Sequence, residues 1–402
     1  MPDDTYVLDL TVTGADQVTV NDDGQGSDTI SVQGIYAKTV EISLCFSAIG
    51  GQTMTAGGYY YDQNDMGHRL VINGLIENAY GSIGHDFIQG NEFANRLYGD
   101  KSIAGLGAAD TIWGGFGADT VHGGNGSDVI AGGADDDLLF GDIGADTIAG
   151  GTGRDTVEGG AGADSLDGGG AAGDLLSYRF STAGIQVALT VATVAVGTGG
   201  DAEGDAIRGF LDVMGSAFRD IVSDADKSTL AAHANDNAFF GGGGRDWLSL
   251  GGGNDTGLGG AEADVIWGEV GDDLISGGNG NDVLRGGMGV DTLSGGTGAD
   301  RFEFRRAAES APNLAAQDSI TDFNAVEGDK IDLSVMDADT TLAGNQAFRL
   351  ITTAFTGTPG ALRLVVQGSD LMVMGDSDGD LQADFAILFL GISALTVSDF
   401  LL

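Results

Sequence analysis

An aspartate returns every nine residues over two long stretches of this chain, and a period that short and strict leaves few folds open. From Gly105 the blocks read GLGAADTIW, GGFGADTVH, GGNGSDVIA, GGADDDLLF, GDIGADTIA, GGTGRDTVE and GGAGADSLD. Their sixth position is Asp110, Asp119, Asp128, Asp137, Asp146, Asp155 and Asp164. From Gly241 the pattern resumes as GGGGRDWLS, LGGGNDTGL, GGAEADVIW, GEVGDDLIS, GGNGNDVLR, GGMGVDTLS and GGTGADRFE. The sixth position is again always aspartate: Asp246, Asp255, Asp264, Asp273, Asp282, Asp291 and Asp300. In all but one block the eighth position is Ile, Val, Leu or Phe.

The period has a physical reading. Six residues such as Gly123–Asp128 form a turn, where glycine enters positive-φ backbone without steric cost. The next three, Val129–Ala131, form a short strand whose middle residue, Ile130, points inward. One such coil buries almost nothing, and only a stack of them makes a continuous apolar ladder. Calcium takes six to eight oxygen ligands from carboxylates and carbonyls, which is the chemistry a recurring aspartate beside turn carbonyls offers. Turn capping by Asx side chains is the plainer alternative, but it does not account for fourteen aspartates in phase.

The blocks resemble the RTX calcium-binding nonapeptide repeat. The resemblance implies an all-β chain, a parallel β-roll or right-handed β-helix with two arrays and a C-terminal β-rich cap. It also implies ions held between turns two repeats apart, for instance those of Asp119 and Asp137. Some blocks depart from the pattern. Asp135 and Glu262 replace the fourth-position glycine, Leu250 replaces a leading glycine, and Gly257 stands where a core residue belongs. A strained turn or an added ligand is expected at the first two, a thin spot in the core at Gly257, and weaker or missing ions near all four.

Outside the arrays, residues 28–98 and 174–240 share a plan. Alternating strands (Val40, Ile42, Leu44; Ile185, Val187, Leu189) lead to Asp86 and Asp220, and NRLYG from Asn95 matches NAFFG from Asn237. The organisation expected is an irregular β-helical superunit (1–104), a first array (105–173), a second superunit (174–240), a second array (241–302) and a terminal β domain (303–402). After Asp300 the runs ADRFEF, DSITDFNAVEGDKIDLS and GDSDGDLQADFAILFLG are similar to the serralysin C-terminal domain, and the arrangement also resembles epimerase repeat modules and RTX lipase tails. In that family a tail such as Asp399-Phe400-Leu401-Leu402 belongs to the signal read by type I exporters. The resemblance therefore implies secretion, although the start of the chain lacks the marks of a Sec signal peptide. Within the terminal domain, Asp376, Asp378, Asp380 and Asp384 match positions one, three, five and nine of an EF-hand-like loop. Leu381 stands where the sharp-turn glycine should be and the position-twelve glutamate is missing, so a calcium loop and a solvated acidic hairpin both stay open.

Charge narrows the partners. The 402 residues carry 60 acidic against 17 basic side chains, a formal charge of −43, yet 42% are hydrophobic. Disorder is disfavoured by that apolar content, and nucleic acid or anionic membrane by the lack of basic surface. Divalent cations are favoured, and no apolar run reaches membrane-spanning length. Cys45 is the only cysteine, so no intrachain disulfide forms.

Catalytic motifs are absent. His68, His85, His122 and His233 are scattered without HExxH, and there is no G-x-S-x-G elbow. One cluster in the first superunit, Tyr59-Tyr60-Tyr61-Asp62 with His68-Arg69, could serve a polysaccharide enzyme or a carbohydrate-binding module on a β-helix. Trp113, Phe140 and Trp267 are expected on the outside of the roll, where they could meet a partner. The sequence thus reads as a secreted, non-enzymatic, calcium-binding surface, matrix or adhesion protein. Its expected partners are calcium, an exporter in transit, and further copies of itself or cell-surface polysaccharide.

Overall fold

The computed structural model describes residues 85–100, 107–169, 173–190, 194–224, 236–313 and 316–402 in full. Before them it describes the backbone of six strands, Thr5–Asp9, Thr29–Gln33, Glu41–Cys45, Gln52–Ala56, Arg69–Asn73 and Ile76–Tyr80. The sequence cluster Tyr59, Tyr60, Tyr61, Asp62 and His68 lies outside the described residues, as does His233. All regular structure described is strand, apart from three single-turn 3-10 segments, and no helix is long and apolar enough to cross a membrane. The chain is an all-β parallel β-roll.

Contacts divide the chain into two compact units, Met1–Ser181 with Val191–Asp212, and Thr182–Thr190 with Val213–Leu402. In the first, successive blocks alternate between two parallel sheets. Phe87–Gln89, Thr111–Phe116, Val129–Ala134, Thr147–Thr152 and Ser165–Asp167 stack on one face. Arg96–Tyr98, Thr120–Asn125, Leu138–Ile143, Thr156–Glu158 and Leu175–Ser177 stack on the other. One coil therefore takes two blocks, and Ile112, Ile130 and Ile148 fall in register 18 residues apart.

Alternation sends the middle strand residue inward, as its hydrophobicity requires. Ile88, Ile112, Ile130, Ile148 and Leu166 form one buried ladder, and Leu97, Val121, Leu139, Val157 and Leu176 the facing one. Each such side chain contributes about 1.5–3 kcal/mol of burial. The array strands are longer than the three residues expected. Most run for six, because parallel pairing continues through the first three residues of the next block. Glycines at positive φ, such as Gly115 at 118°, let the backbone bend without losing that pairing.

The second unit repeats the plan. Val187, Val222, Leu248, Ile266, Leu284, Phe302 and Ile331 line one sheet, and Val213, Phe239, Ile275, Leu293 and Ile320 the other. The stack then closes on the terminal domain. Phe385–Phe389 pairs parallel to Asp318–Ile320 and antiparallel to Asp370–Asp376, which pairs in turn with Ala361–Gln367. Phe400–Leu401 adds a last parallel strand beside Lys330–Asp332.

Two expectations need correction. Gly257 leaves no thin spot. A Cβ there would meet Ile266 Cγ2 at 2.9 Å and Leu250 Cδ1 and Cδ2 at 3.0 and 3.2 Å. The first position of a block also faces inward, so Leu250, fully buried, fills the room that Gly257 leaves. Nor does Phe140 stand in solvent. It is 9% exposed and stacks on His122 at 4.4 Å, with Tyr98 on the far side of the same imidazole at 5.1 Å. Trp113 is 45% exposed, whereas Trp267 is half-buried between Trp247 and the guanidinium of Arg305.

Candidate metal sites

All fourteen array aspartates are buried, with their side chains at the turns between strands. Each makes one bond of the same kind. Its Oδ1 accepts the backbone N–H of the ladder residue one coil earlier. Asp110 N–H donates to Asp128 Oδ1 (2.7 Å), Asp128 N–H to Asp146 (2.7 Å), and Asp146 N–H to Asp164 (2.8 Å). Asp119, Asp137 and Asp155 form the matching ladder on the other side. In the second unit Asp246, Asp264, Asp282 and Asp300 form one ladder, and Asp255, Asp273 and Asp291 the other. The sequence pairing of Asp119 with Asp137 is thus adjacent on one ladder, joined at 2.8 Å.

The second oxygen is different. Oδ2 of every one of the fourteen is buried and has no hydrogen-bond partner. In twelve of them it lies against the first glycine of its own block, while Asp110 Oδ2 lies against Gly99 and the block of Asp255 begins with Leu250. A Cβ on Gly114 would run into Asp119 Oδ2 and into the carbonyl oxygen of Gly132, and the pattern recurs at Gly123, Gly132, Gly141 and Gly150. The glycine thus leaves a cradle of carboxylate and carbonyl oxygen that any side chain would fill. Nitrogen and sulfur donors are absent from it. A hard oxygen-seeking cation such as calcium fits this donor set.

Burial without a counter-charge pushes these carboxyl groups upward. Desolvation is the leading cause throughout, and neighbouring aspartates add to it. Asp137, Asp146, Asp246, Asp255 and Asp291 rise to about 8, and Asp110 to about 10. An unsatisfied buried polar atom costs about 1–3 kcal/mol and a charged one more. Fourteen of them would cancel the ~5–15 kcal/mol of net stability that a domain of ordinary size has. Keeping these groups ionised inside the roll therefore calls for a counter-charge, and otherwise burial favours their protonated form.

The ladders continue past the residues that periodicity marks. Asp155 N–H donates to Asp174, Asp164 N–H to Asp205, Asp291 N–H to Asp318 and Asp300 N–H to Asp329. Upstream, Asp86 and Asn95 donate to Asp110 and Asp119, while Asp220 and Asn237 donate to Asp246 and Asp255. At several of these rungs the protein satisfies Oδ2 itself. Tyr178 Oη donates to Asp205 Oδ2 at 2.8 Å, Asn324 N–H to Asp329 Oδ2 at 2.7 Å, and the Ser216 N–H and hydroxyl to Asp220 Oδ2.

The departures within the arrays also have places. Asp135 and Glu262 sit at φ 76°, a left-handed conformation that costs a non-glycine residue about 1–3 kcal/mol. Asp135 Oδ2 accepts Gly117 N–H at 2.9 Å, which offsets part of that cost. Asp142 and Glu269, at the second position of their blocks, are left-handed too and escaped the sequence reading. Asp142 Oδ2 lies 3.1 Å from His122 Nδ1. His85 is exposed, with Nδ1 2.6 Å from the Ala109 carbonyl.

Comparison with known proteins agrees with this geometry. The serralysin C-terminal family, described as peptidase M10 serralysin C terminal, matches residues 210–402. The RTX calcium-binding nonapeptide repeat matches 80–102, 104–139 and 140–174. No curated protein sequence matches. Among solved structures, the R3 subunit of the Azotobacter vinelandii mannuronan C5-epimerase AlgE6 is 27% identical, with 37% of this chain covering 80% of it at a TM-score of 0.28. The R2 subunit of that enzyme is 24% identical over 37% of this chain and 87% of its own length, also at 0.28. The extracellular lipase LipA of Serratia marcescens is 15% identical over 81% of this chain and 41% of the lipase, at 0.23. With its ladders of buried aspartate and these two family matches, the chain carries RTX calcium-binding nonapeptide repeats, and its second half resembles the serralysin C-terminal region.

Proposed function

We propose that this is a secreted calcium-binding β-roll protein that folds on meeting calcium outside the cell and serves there as a surface, matrix or adhesion component. One observation carries the reading: fourteen buried carboxylate oxygens without a partner, thirteen of them against a glycine. Asp110, Asp119, Asp128, Asp137, Asp146, Asp155 and Asp164 would hold the ions of the first array. Asp246, Asp255, Asp264, Asp273, Asp282, Asp291 and Asp300 would hold those of the second. Each divalent ion cancels two of the 43 excess negative charges, and its binding free energy becomes folding free energy.

The C-terminus supports the same order of events. Phe400 is buried, its strand pairs with Lys330–Asp332, and Lys330 Nζ donates to the Ser398 carbonyl at 2.9 Å. A terminal export signal in that strand would be readable only before the roll closes. Low cytosolic calcium would keep it open, and export would precede folding.

The test is a calcium titration of chelated protein, followed by circular dichroism and light scattering on the same samples. Chelated chain should lack most of its β signal, and millimolar calcium should restore it. Growth in particle size with folding is the expected mark of a self-assembling surface protein. A chain that keeps its full β signal in excess chelator sinks the calcium reading, and folding to a stable monomer sinks self-assembly.

A further inference from the structure

Beyond the ladders, the terminal domain gathers a second kind of acidic site. Strands Asp370–Asp376 and Phe385–Phe389 are antiparallel neighbours whose register ends at Gly375 opposite Phe385. Asp376 and Asp384 therefore flank the mouth of the connecting loop, and Asp384 N–H donates to the Gly375 carbonyl at 2.7 Å. Asp378 stands in the loop. One carboxylate oxygen from each of Asp376, Asp378 and Asp384 lies within 4.8 Å of the other two.

Three like charges this close repel, and an acidic hairpin left to solvent would splay them. Here the central one is instead buried. Asp376 has no exposed surface; its Oδ1 accepts Gly379 N–H at 2.6 Å, and its Oδ2 has no partner. Asp384 Oδ2 is fixed by the Ser377 N–H and hydroxyl, each at 2.6 Å. No lysine or arginine pairs with any of the three among the described residues. The fourth aspartate of the motif is turned away, since Asp380 accepts Gln382 N–H at 2.8 Å and Gln382 Nε2–H at 3.1 Å. Leu381 makes the sharp turn at φ 76° in place of glycine.

We infer that Asp376, Asp378 and Asp384 form a separate site for one hard divalent cation, calcium by the chemistry of its donors. An all-carboxylate set of three suits calcium, whose remaining positions are filled by carbonyls or water. The site closes the terminal hairpin and is independent of the repeat ladders.

The test uses the full chain at saturating calcium and counts bound ions by equilibrium dialysis with radioactive calcium. Asp378 is exposed, so Asp378→Asn should fold like the parent while binding one ion fewer. Asp380→Asn, altered at a carboxylate outside the cluster, should bind the parental number. Hydrogen exchange within 377–384 should quicken at least tenfold in Asp378→Asn and stay parental in Asp380→Asn. An Asp378→Asn chain with the parental ion count, or with parental exchange in that loop, overturns the assignment. If the ladders bind no calcium, the parent should hold one ion and Asp378→Asn none, so failure of the array reading and failure of this site give different counts.

Discussion

In the array turns and in the turns that border them, an aspartate makes the same ladder bond through Oδ1, yet the turns of Asp205, Asp220 and Asp329 treat Oδ2 differently from the array turns, whereas Asp318 leaves it bare as they do. At Asp128 or Asp264 it is left bare against glycine. At Asp205, Asp220 and Asp329 it receives Tyr178 Oη, the Ser216 N–H and hydroxyl, or Asn324 N–H. A hydrogen-bond donor supplied by the chain makes a turn that can close unaided. A turn without such a donor leaves an oxygen for a cation, and the leading glycine does not decide which kind forms, since Gly215 stands against Asp220 Oδ2 just as Gly123 stands against Asp128 Oδ2. The difference separates the array turns from those of Asp205, Asp220 and Asp329.

The largest effect expected from this contrast is a reversal of the usual response to acid. Folded-state values of about 6 to 10 for thirteen of the array aspartates lie above the ordinary value of 3.8, and Asp282 is raised too, because burial disfavours the charged form. Across that window the metal-free roll binds more protons than the unfolded chain, so its stability falls as pH rises and is greatest near or below pH 4. In chelator, lowering pH from 7.5 to about 4.5 should recover β signal by circular dichroism. With calcium present, the same acidification should raise the calcium midpoint, since protons and cations compete for Oδ2. A chelated chain equally unfolded at both pH values would show that bare carboxylates are not what holds the roll open.

Next comes the paired substitution Asp128→Asn with Asp146→Asn. Asparagine can keep an oxygen on the ladder N–H groups of Asp110 and Asp128 while removing two charges and two bare Oδ2 atoms. The calcium midpoint should rise several-fold and fewer ions should bind. His122→Ala, which removes an aromatic stack and the contact with Asp142 but no ladder bond, should move the midpoint far less. Equal shifts would remove the special standing of the ladder.

A packing variant sharpens the contrast from the other side. Leu250→Gly would empty the space above Gly257, at about 2–5 kcal/mol for a large-to-small core change. Thermal unfolding at saturating calcium should register that loss, while the bound-ion count stays parental because Asp255 keeps its oxygens. Restoring the side chain as Gly257→Leu in the same background should recover part of the stability. An ion lost along with the leucine would mean that core and cation sites cannot be separated in this coil.

How much of this was readable in advance follows from spacing. The fourteen open turns show in the sequence because within each array every one lies nine residues from the next, and the eighth position, apolar in all but one block, exposes the core with equal clarity. The rungs beyond the arrays do not show. Asp205 accepts from a residue 41 positions earlier, Asp318 from 27 and Asp329 from 29, because inserted loops break the period while the stacking continues in space. Leu250 and Gly257 look like two separate faults for a related reason. Only the coil reveals that first and eighth positions face the same interior, where one residue makes up for the other. Asp376 falls in neither class. Its spacing suggested a metal loop, but only burial and a bare Oδ2 distinguish it from Asp380 four residues on.

The smallest effect tests the terminating turns directly. Tyr178 is fully buried, its hydroxyl is held by Asp205, and burial beside that carboxylate pushes the phenol well above its ordinary value, so it stays a donor at any working pH. Tyr178→Phe would keep the ring and delete the bond, converting Asp205 from a turn that closes itself into one that resembles its array neighbours. The cost should be about 1–3 kcal/mol, the range for a buried acceptor left unsatisfied. If bare Oδ2 is what makes a turn need a cation, that loss should shrink as calcium is raised, and thermal unfolding of the variant should depend more steeply on calcium than that of the parent. A loss of the same size at every calcium concentration would mean that the tyrosine merely packs, and that something other than the missing donor sets the array turns apart.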